Sequence, residues 1–267
     1  MPVFTSKPSW LLFYILTLGT CVSLQQKAVA ADWDGFSVTA LVGTAQQSGN
    51  ASAAGRPTAN TYFSSASDLP QVASAGSGSF SGSDSTGSFK IGYSWQSGNV
   101  VQGIDFSADT GFDRSFTGGA TWISVPTAQF SITQRIKAAS MLAIRPRIGW
   151  AWDNAQVYVT AGVAAARVTL ETSFMDNFVS GGASGASGQS SQSETKIGTM
   201  VGFGAEYALD KVWSLSAQYL YTDFGHINNV TNTTHLGFGA SGFGVIDSSA
   251  ALRNQSIMVG LTYRFKN

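Results

Sequence analysis

The sequence predicts an all-β fold: an eight-stranded antiparallel transmembrane β-barrel, up-and-down, with long extracellular loops. Three observations predict it: an N-terminal segment fit for export, period-two alternation in eight later segments, and a regular exchange of short and long connections between them. Composition sets the frame. Across 267 residues, 15 Lys+Arg balance 15 Asp+Glu, and charged residues make up only 11%, against roughly 25% in an ordinary soluble domain. A hydrophobic content of 43% argues against wholesale disorder. Zero net charge without a Lys/Arg cluster leaves no electrostatic footprint for nucleic acid. A single cysteine, Cys21, excludes a disulfide framework and a cysteine-rich zinc site.

Residues 1–30 read as a secretory signal peptide. Lys7 supplies the positive flank, the run from Trp10 to Leu18 is apolar, and Ala28-Val29-Ala30 forms an A-x-A site that puts cleavage between Ala30 and Ala31. A membrane anchor is the competing reading, because Pro8 to Gln26 carries no charge. Gly19, Thr20, Ser23 and two glutamines nevertheless dilute a span that needs roughly 20 predominantly apolar residues. Lipidation at Cys21 would place Thr20 where a smaller residue is wanted. Cleavage removes Cys21 and also Lys7 and Lys27, so the mature domain, 31–267, becomes slightly acidic. No later segment approaches 18 consecutive apolar residues, which excludes a transmembrane helix and leaves strands.

The strands follow in order. In the first, Phe36, Val38, Ala40 and Val42 oppose Gly35, Ser37, Thr39 and Gly43. Phe89, Ile91, Tyr93 and Trp95 then oppose Lys90, Gly92 and Ser94, and Ile104 and Phe106 oppose Gly103, Asp105 and Ser107. Leu142, Ile144, Ile148 and Trp150 oppose Arg145, Arg147 and Gly149; Val157, Val159, Ala161 and Val163 oppose Tyr158, Thr160 and Gly162. Val201, Phe203 and Tyr207 oppose Gly202, Gly204 and Glu206; Leu215, Ala217, Tyr219 and Tyr221 oppose Ser216, Gln218 and Thr222. The last runs through Ile257, Val259, Leu261, Tyr263 and Phe265, opposite Ser256, Gly260, Thr262 and Arg264. Each is a strand pattern with one apolar face.

Connections alternate in length. Long links at about 45–87, 110–139, 171–194 and 223–254 exchange with short ones at 96–99, 153–154 and 210–211. Tight turns at one end and long loops at the other mark an outer-membrane barrel with periplasmic turns. Strands of about ten residues at roughly 45° tilt cross the bilayer core, and closure leaves no backbone edge unpaired in lipid. Trp95, Trp150, Trp152, Trp213 and Tyr263 lie near the short turns or the C-terminus, where an aromatic girdle belongs. A soluble ligand-holding barrel is the competing all-β fold. Its outer wall would be mostly Gly, Ser and Thr with few charges, a poor surface in water.

Segments 32–43, 89–106, 144–168, 195–225 and 256–265 resemble the small outer-membrane barrel proteins of alphaproteobacteria, the outer-membrane immunogenic or porin-family proteins, whose barrel is similar to the transmembrane domain of OmpA. The stretch AEYALDKVWSLSAQYLYTDFG is the most specific of these. The resemblance implies an outer-membrane location, with lipid, lipopolysaccharide and the barrel-assembly machinery as partners. The alternation ending in Tyr263 and Phe265 resembles the C-terminal signal that this machinery reads, although Lys266 and Asn267 follow it. Pro146 departs from a regular strand and suggests a bulge, because it cannot donate a ladder hydrogen bond. No periplasmic domain is expected after the last strand.

The functional expectation is an envelope structural and surface-interaction protein of the adhesin or immunogenic type. Lys90, Asp105, Arg145, Arg147 and Glu206 share the polar face and so the lumen, which in an eight-stranded barrel is only wide enough for side chains. They are expected to pair into a charge network that plugs it, since unpaired buried charge costs several kcal/mol. A narrow passive porin for small solutes, with pairs that exchange partners, is the runner-up. An enzyme is not expected, because a Ser/His or Asp/His pair would have to sit on strands, whereas His226 and His235 fall in the fourth long loop. Their nine-residue separation is no recognised metal spacing, so neither metal nor cofactor is expected. The sequons at Asn229 and Asn232 read as chance. The low-complexity GGASGASGQSSQS at 181–193 is expected to be flexible, and the long loops read equally as a surface for an extracellular ligand or host surface and as solvated, variable segments with no dedicated ligand. Eight-stranded barrels close without a partner, which makes a monomer the default.

Overall fold

Strand length is set here by two different environments. The computed structural model describes residues 31–57 and 62–266; the expected signal peptide, 1–30, with Cys21 and Ala30, lies outside the described residues. The long strands are β1 (Gly35–Gly55), β2 (Gly78–Ser97), β3 (Val100–Thr121), β4 (Gln129–Trp152) and β5 (Ala155–Asp176). After the small pair β6 (Val179–Ser180) and β7 (Ala183–Ser184) come β8 (Ser187–Ala208), β9 (Trp213–Thr234) and β10 (Phe243–Arg264). A helix α1 (Asp68–Ala75) sits between β1 and β2, and a 3-10 helix spans Leu236–Ser241. The strands close in the order β1-β10-β9-β8-β5-β4-β3-β2, while β6 and β7 pair only with each other.

The expected regular eight-stranded barrel with long extracellular loops needs correction in two respects. First, it does not close as one regular barrel along its length. The β2–β3 ladder runs only from Ser97↔Val100 to Ser88↔Asp109. The β8–β9 ladder runs only from Ala208↔Ser214 to Thr199↔Asp223, with the lone pair Ser187↔Thr234 beyond it. Past these points the sheet splits into two leaves, β2-β1-β10-β9 and β3-β4-β5-β8. Closure is obligatory only in lipid, where no water satisfies an open strand edge.

Second, most of the expected loops are strand. The first link shrinks to residues 56–77 with α1, the second to 122–128, the third to the β6–β7 ribbon and its flanks, and the fourth to 235–242. Seven residues of the low-complexity segment, 187–193, belong to β8.

The reason is an inversion of the side-chain pattern. Near the short turns the wall faces outward with Phe36, Val42, Phe106, Ile144, Val159, Phe203 and Leu261, all exposed, while polar groups point inward. Beyond the split Phe112, Ile132, Ile136, Leu170, Phe174 and Ile227 are buried, and ion pairs such as Arg135–Asp113 and Lys137–Glu171 lie on the outer surface. An apolar-out wall fits lipid; an apolar-in pair of leaves fits water.

Bulges let individual strands change face. On β4 the buried positions are even-numbered through Ala138 and odd-numbered from Met141, across a register shift against β5. On β9 they change between Phe224 and Ile227 at a shift against β10, where Gly225 takes φ +67°. An extra residue in one strand produces this switch, and a glycine accepts the left-handed backbone. Pro146 makes no bulge: it pairs with Ile104, and the β4–β5 register is the same at Ile144↔Val163 and Arg147↔Thr160.

Candidate functional site

The closed half of the barrel gathers its charges around one carboxylate. Inward-facing positions on β2, β3, β4, β8 and β10 bring Lys90, Asp105, Arg147, Glu206 and Arg264 together, each almost fully buried. Arg147 Nη1 donates to Glu206 Oε1 at 2.8 Å, Gln156 Nε2 to Oε2 at 2.9 Å and Arg264 Nη2 to Oε2 at 3.3 Å. Lys90 Nζ lies 3.5 Å from Asp105 and 3.9 Å from Glu206. Arg147 also donates to Ser94 Oγ at 2.6 Å and stands 3.8 Å from Asp105. The Tyr158 ring completes the cluster, with Lys90 Nζ 5.5 Å and the Arg147 guanidinium 5.1 Å from its centroid. Such contacts compensate the desolvation that an isolated charge would suffer.

Of the five sequence-designated charges, four meet here and Arg145 does not. It is buried, but its only hydrogen bond among the described residues runs from Nη1 to Met200 Sδ at 3.5 Å. Sequence reasoning overlooked Arg264, Tyr158 and Gln156 as members of the cluster. Arg264 shares its face with Gly260 and Thr262, and that parity was the available signal.

Apolar groups seal both ends of this polar layer. Towards the turns, Trp33, Val101, Ala151 and Ala208 pack together, and Arg264 Nη1 donates to the Trp33 carbonyl at 2.8 Å. On the other side lie Leu41, Met141, Ala143, Met200, Leu220, Phe224, Leu252 and Met258. Between the leaves, Phe63, Val72 of α1, Trp122, Phe130, Ile132, Phe174 and Ile246 form a further core.

The two histidines need a correction as well. His226 is not in a loop but on β9, exposed on the outer surface. His235 follows β9 and is buried against the rings of Tyr62, Phe178 and Phe238. The Gly237 N–H donates to its Nδ1 at 3.1 Å, so Nε2 carries the proton and donates to the Phe178 carbonyl at 2.8 Å. The ring thus ties three links together and is spent on the backbone. Beside it Tyr62 donates to the Asp176 carboxylate, which also accepts the N–H groups of Phe178 and Ala186. Burial and the Asp176 carboxylate push the Tyr62 hydroxyl well above the ordinary tyrosine range. Among the described residues no group of three His, Cys, Asp or Glu side chains could hold a metal.

At the C-terminal strand Tyr263 and Phe265 lie on the outer wall, their rings 5.0 Å apart, with Trp213 5.1 Å from Tyr263 and Phe36 5.8 Å from Phe265. Trp95, Trp150 and Trp152 are exposed at the same end.

Known outer-membrane proteins are similar to this chain. The model of the outer membrane protein beta-barrel domain matches residues 14–265. The 31 kDa outer-membrane immunogenic proteins of Brucella melitensis biotype 1 and Brucella suis biovar 1 are each 30% identical over 183 residues, covering 67% of this chain and 65% of theirs. The match thus spans somewhat under two thirds of the relatives' own length. Among solved structures, OprG of Pseudomonas aeruginosa aligns over 88% of this chain and 98% of its own at 13% identity and a TM-score of 0.45. The chain belongs to the outer membrane β-barrel protein family and resides in the outer membrane of a Gram-negative cell.

Proposed function

We propose that the protein is an envelope structural and surface-interaction barrel whose lumen is closed by its own side chains. The observation that carries this is the Glu206 cluster, in which three cations and an amide converge on one buried carboxylate between two apolar layers. A pore needs a continuous aqueous path, and this arrangement replaces water with fixed partners. Lipid and lipopolysaccharide would contact the apolar belt, and the two leaves with their aromatic cap would form the surface met by an extracellular ligand or host surface. The immunogenic names of the Brucella relatives fit that exposure. Cleavage between Ala30 and Ala31, reading of Tyr263 and Phe265 by the assembly machinery, and a monomeric state complete the reading.

The test is planar-bilayer recording on refolded residues 31–267, with heat-dependent gel mobility showing that the barrel has formed. A folded but electrically silent protein is the expected outcome. Reproducible discrete conductance would overturn the plug and establish a narrow passive porin.

A further inference from the structure

Arginine cannot solve burial by giving up its proton, because its guanidinium stays charged at any pH a protein experiences. Arg145 is 1% exposed, and its Nε and Nη2 groups have no partner. Its one hydrogen-bond acceptor among the described residues, a thioether sulfur, is weak and carries no charge. The cross-strand neighbour Asp105 lies 3.5 Å from Lys90 and 3.8 Å from Arg147, receives no hydrogen bond at Oδ1, and makes no ion pair with Arg145. Asp109, two inward steps further along β3, accepts only from Ser107 and leaves its Oδ1 unpartnered.

The charge sum points the same way. In the strand wall Lys90, Arg145, Arg147 and Arg264 are buried as cations, against Asp105, Asp109 and Glu206 as anions, while the fourth buried carboxylate, Asp68, sits apart on α1 beside Ser124. Among these strand-borne groups one positive charge remains even when all three carboxylates are ionised. Water would satisfy the loose N–H groups but not that charge.

We propose that the interior holds one small inorganic monoanion of chloride size, bound by Arg145. Gly162 on β5 lets the arginine cross to this place, since a side chain there would press on the Arg145 Cγ at 3.0 Å and on the Ile144 carbonyl. Met200, which the guanidinium reaches, is the ladder partner both of Gly162 and of Thr222. The Thr222 hydroxyl is buried and has no partner, so it supplies a further donor at the level of the guanidinium. The site lies on the far side of Arg145 from the Glu206 cluster, and it neutralises the lumen rather than conducting through it.

The test compares urea unfolding of refolded residues 31–267, followed by tryptophan fluorescence, in sodium chloride, bromide and gluconate at equal ionic strength. Chloride and bromide should raise the midpoint over gluconate with a saturable concentration dependence, and Arg145→Met should abolish that difference. An equal anion effect in Arg145→Met, or none in the wild type, would overturn the site. Crystals of the wild-type protein in bromide give a reading independent of whether the variant folds: an anomalous peak beside Arg145 is expected, and its absence overturns the proposal. None of these readouts depends on conductance, so a conducting barrel with a bromide peak would sink the plug and keep the anion.

Discussion

At the scale of single residues, Glu206 is the side chain on which most others depend. Its two oxygens receive Arg147, Gln156 and Arg264, with Lys90 nearby. Glu206→Gln would leave Arg264 without its carboxylate and Arg147 with Ser94 and a 3.8 Å approach to Asp105. Breaking a buried pair in this way costs about 3–5 kcal/mol. Urea unfolding in lipid vesicles should show a loss of that order, and a loss under about 1 kcal/mol would mean that water already shares the site. Tyr62 offers a second residue-level test. Because its hydroxyl is raised in the folded protein, the neutral form stabilises the cap fully below the ordinary tyrosine value near 10 and is lost as pH rises through the folded value. Spectrophotometric titration should therefore show one tyrosine that ionises only as the cap opens at high pH, and Tyr62→Phe should remove that late step. Neither Tyr62 nor Trp33 was legible as a buried group in the sequence, since each lies outside the alternating segments and is placed by contacts distant along the chain.

At the scale of elements, the alternation located all eight long strands but not their ends. The reading looked for apolar residues on the outward face, and that signal stops where lipid stops. Beyond it, inward Phe112, Ile132, Ile136, Leu170 and Phe174 repeat with the same period on the opposite face. A strand search that accepted either face would have extended β3, β4 and β5 through their expected loops. The bulge on β9 is harder to see, because its only marker is Gly225 in a stretch of polar residues. There, φ +67° is costly for any side chain and worst for a β-branched one. Gly225→Val should cost about 1–2 kcal/mol in urea unfolding, and it should weaken the leaf rather than the membrane ladder. Hydrogen exchange would localise the loss to 224–234 and 243–252, and protection lost equally along β9 would contradict the assignment. Helix α1 was equally hidden, since DLPQVASA sits in a polar link and is held by Val72 between the leaves and by the Gln71 amide bonded to Thr121 and Ile123.

At the scale of the whole molecule, one chain solves two solvation problems by turning its apolar face inside out. Strand β9 shows both solutions. Leu215, Ala217 and Tyr219 face outward in the closed half, whereas after Gly225 the outward positions are His226, Asn228 and Val230, and Ile227 turns inward. This switch predicts a membrane boundary near the bulge, and arginine substitution along the strand should find it. Ala217→Arg puts a charge against lipid and should cost about 2–4 kcal/mol if that position is near the midplane. Asn228→Arg is further along the same strand, but it faces water and should change stability by no more than about 0.5 kcal/mol. Ile227→Arg, one residue away, would push a charge between the leaves and should be far more damaging than its neighbour. Equal tolerance of arginine at 217 and 228 would place the whole strand in one environment and would remove the physical reason for the split. A steep change across Gly225 would show that the seams open where the bilayer ends, because closure is needed only where water cannot reach the backbone.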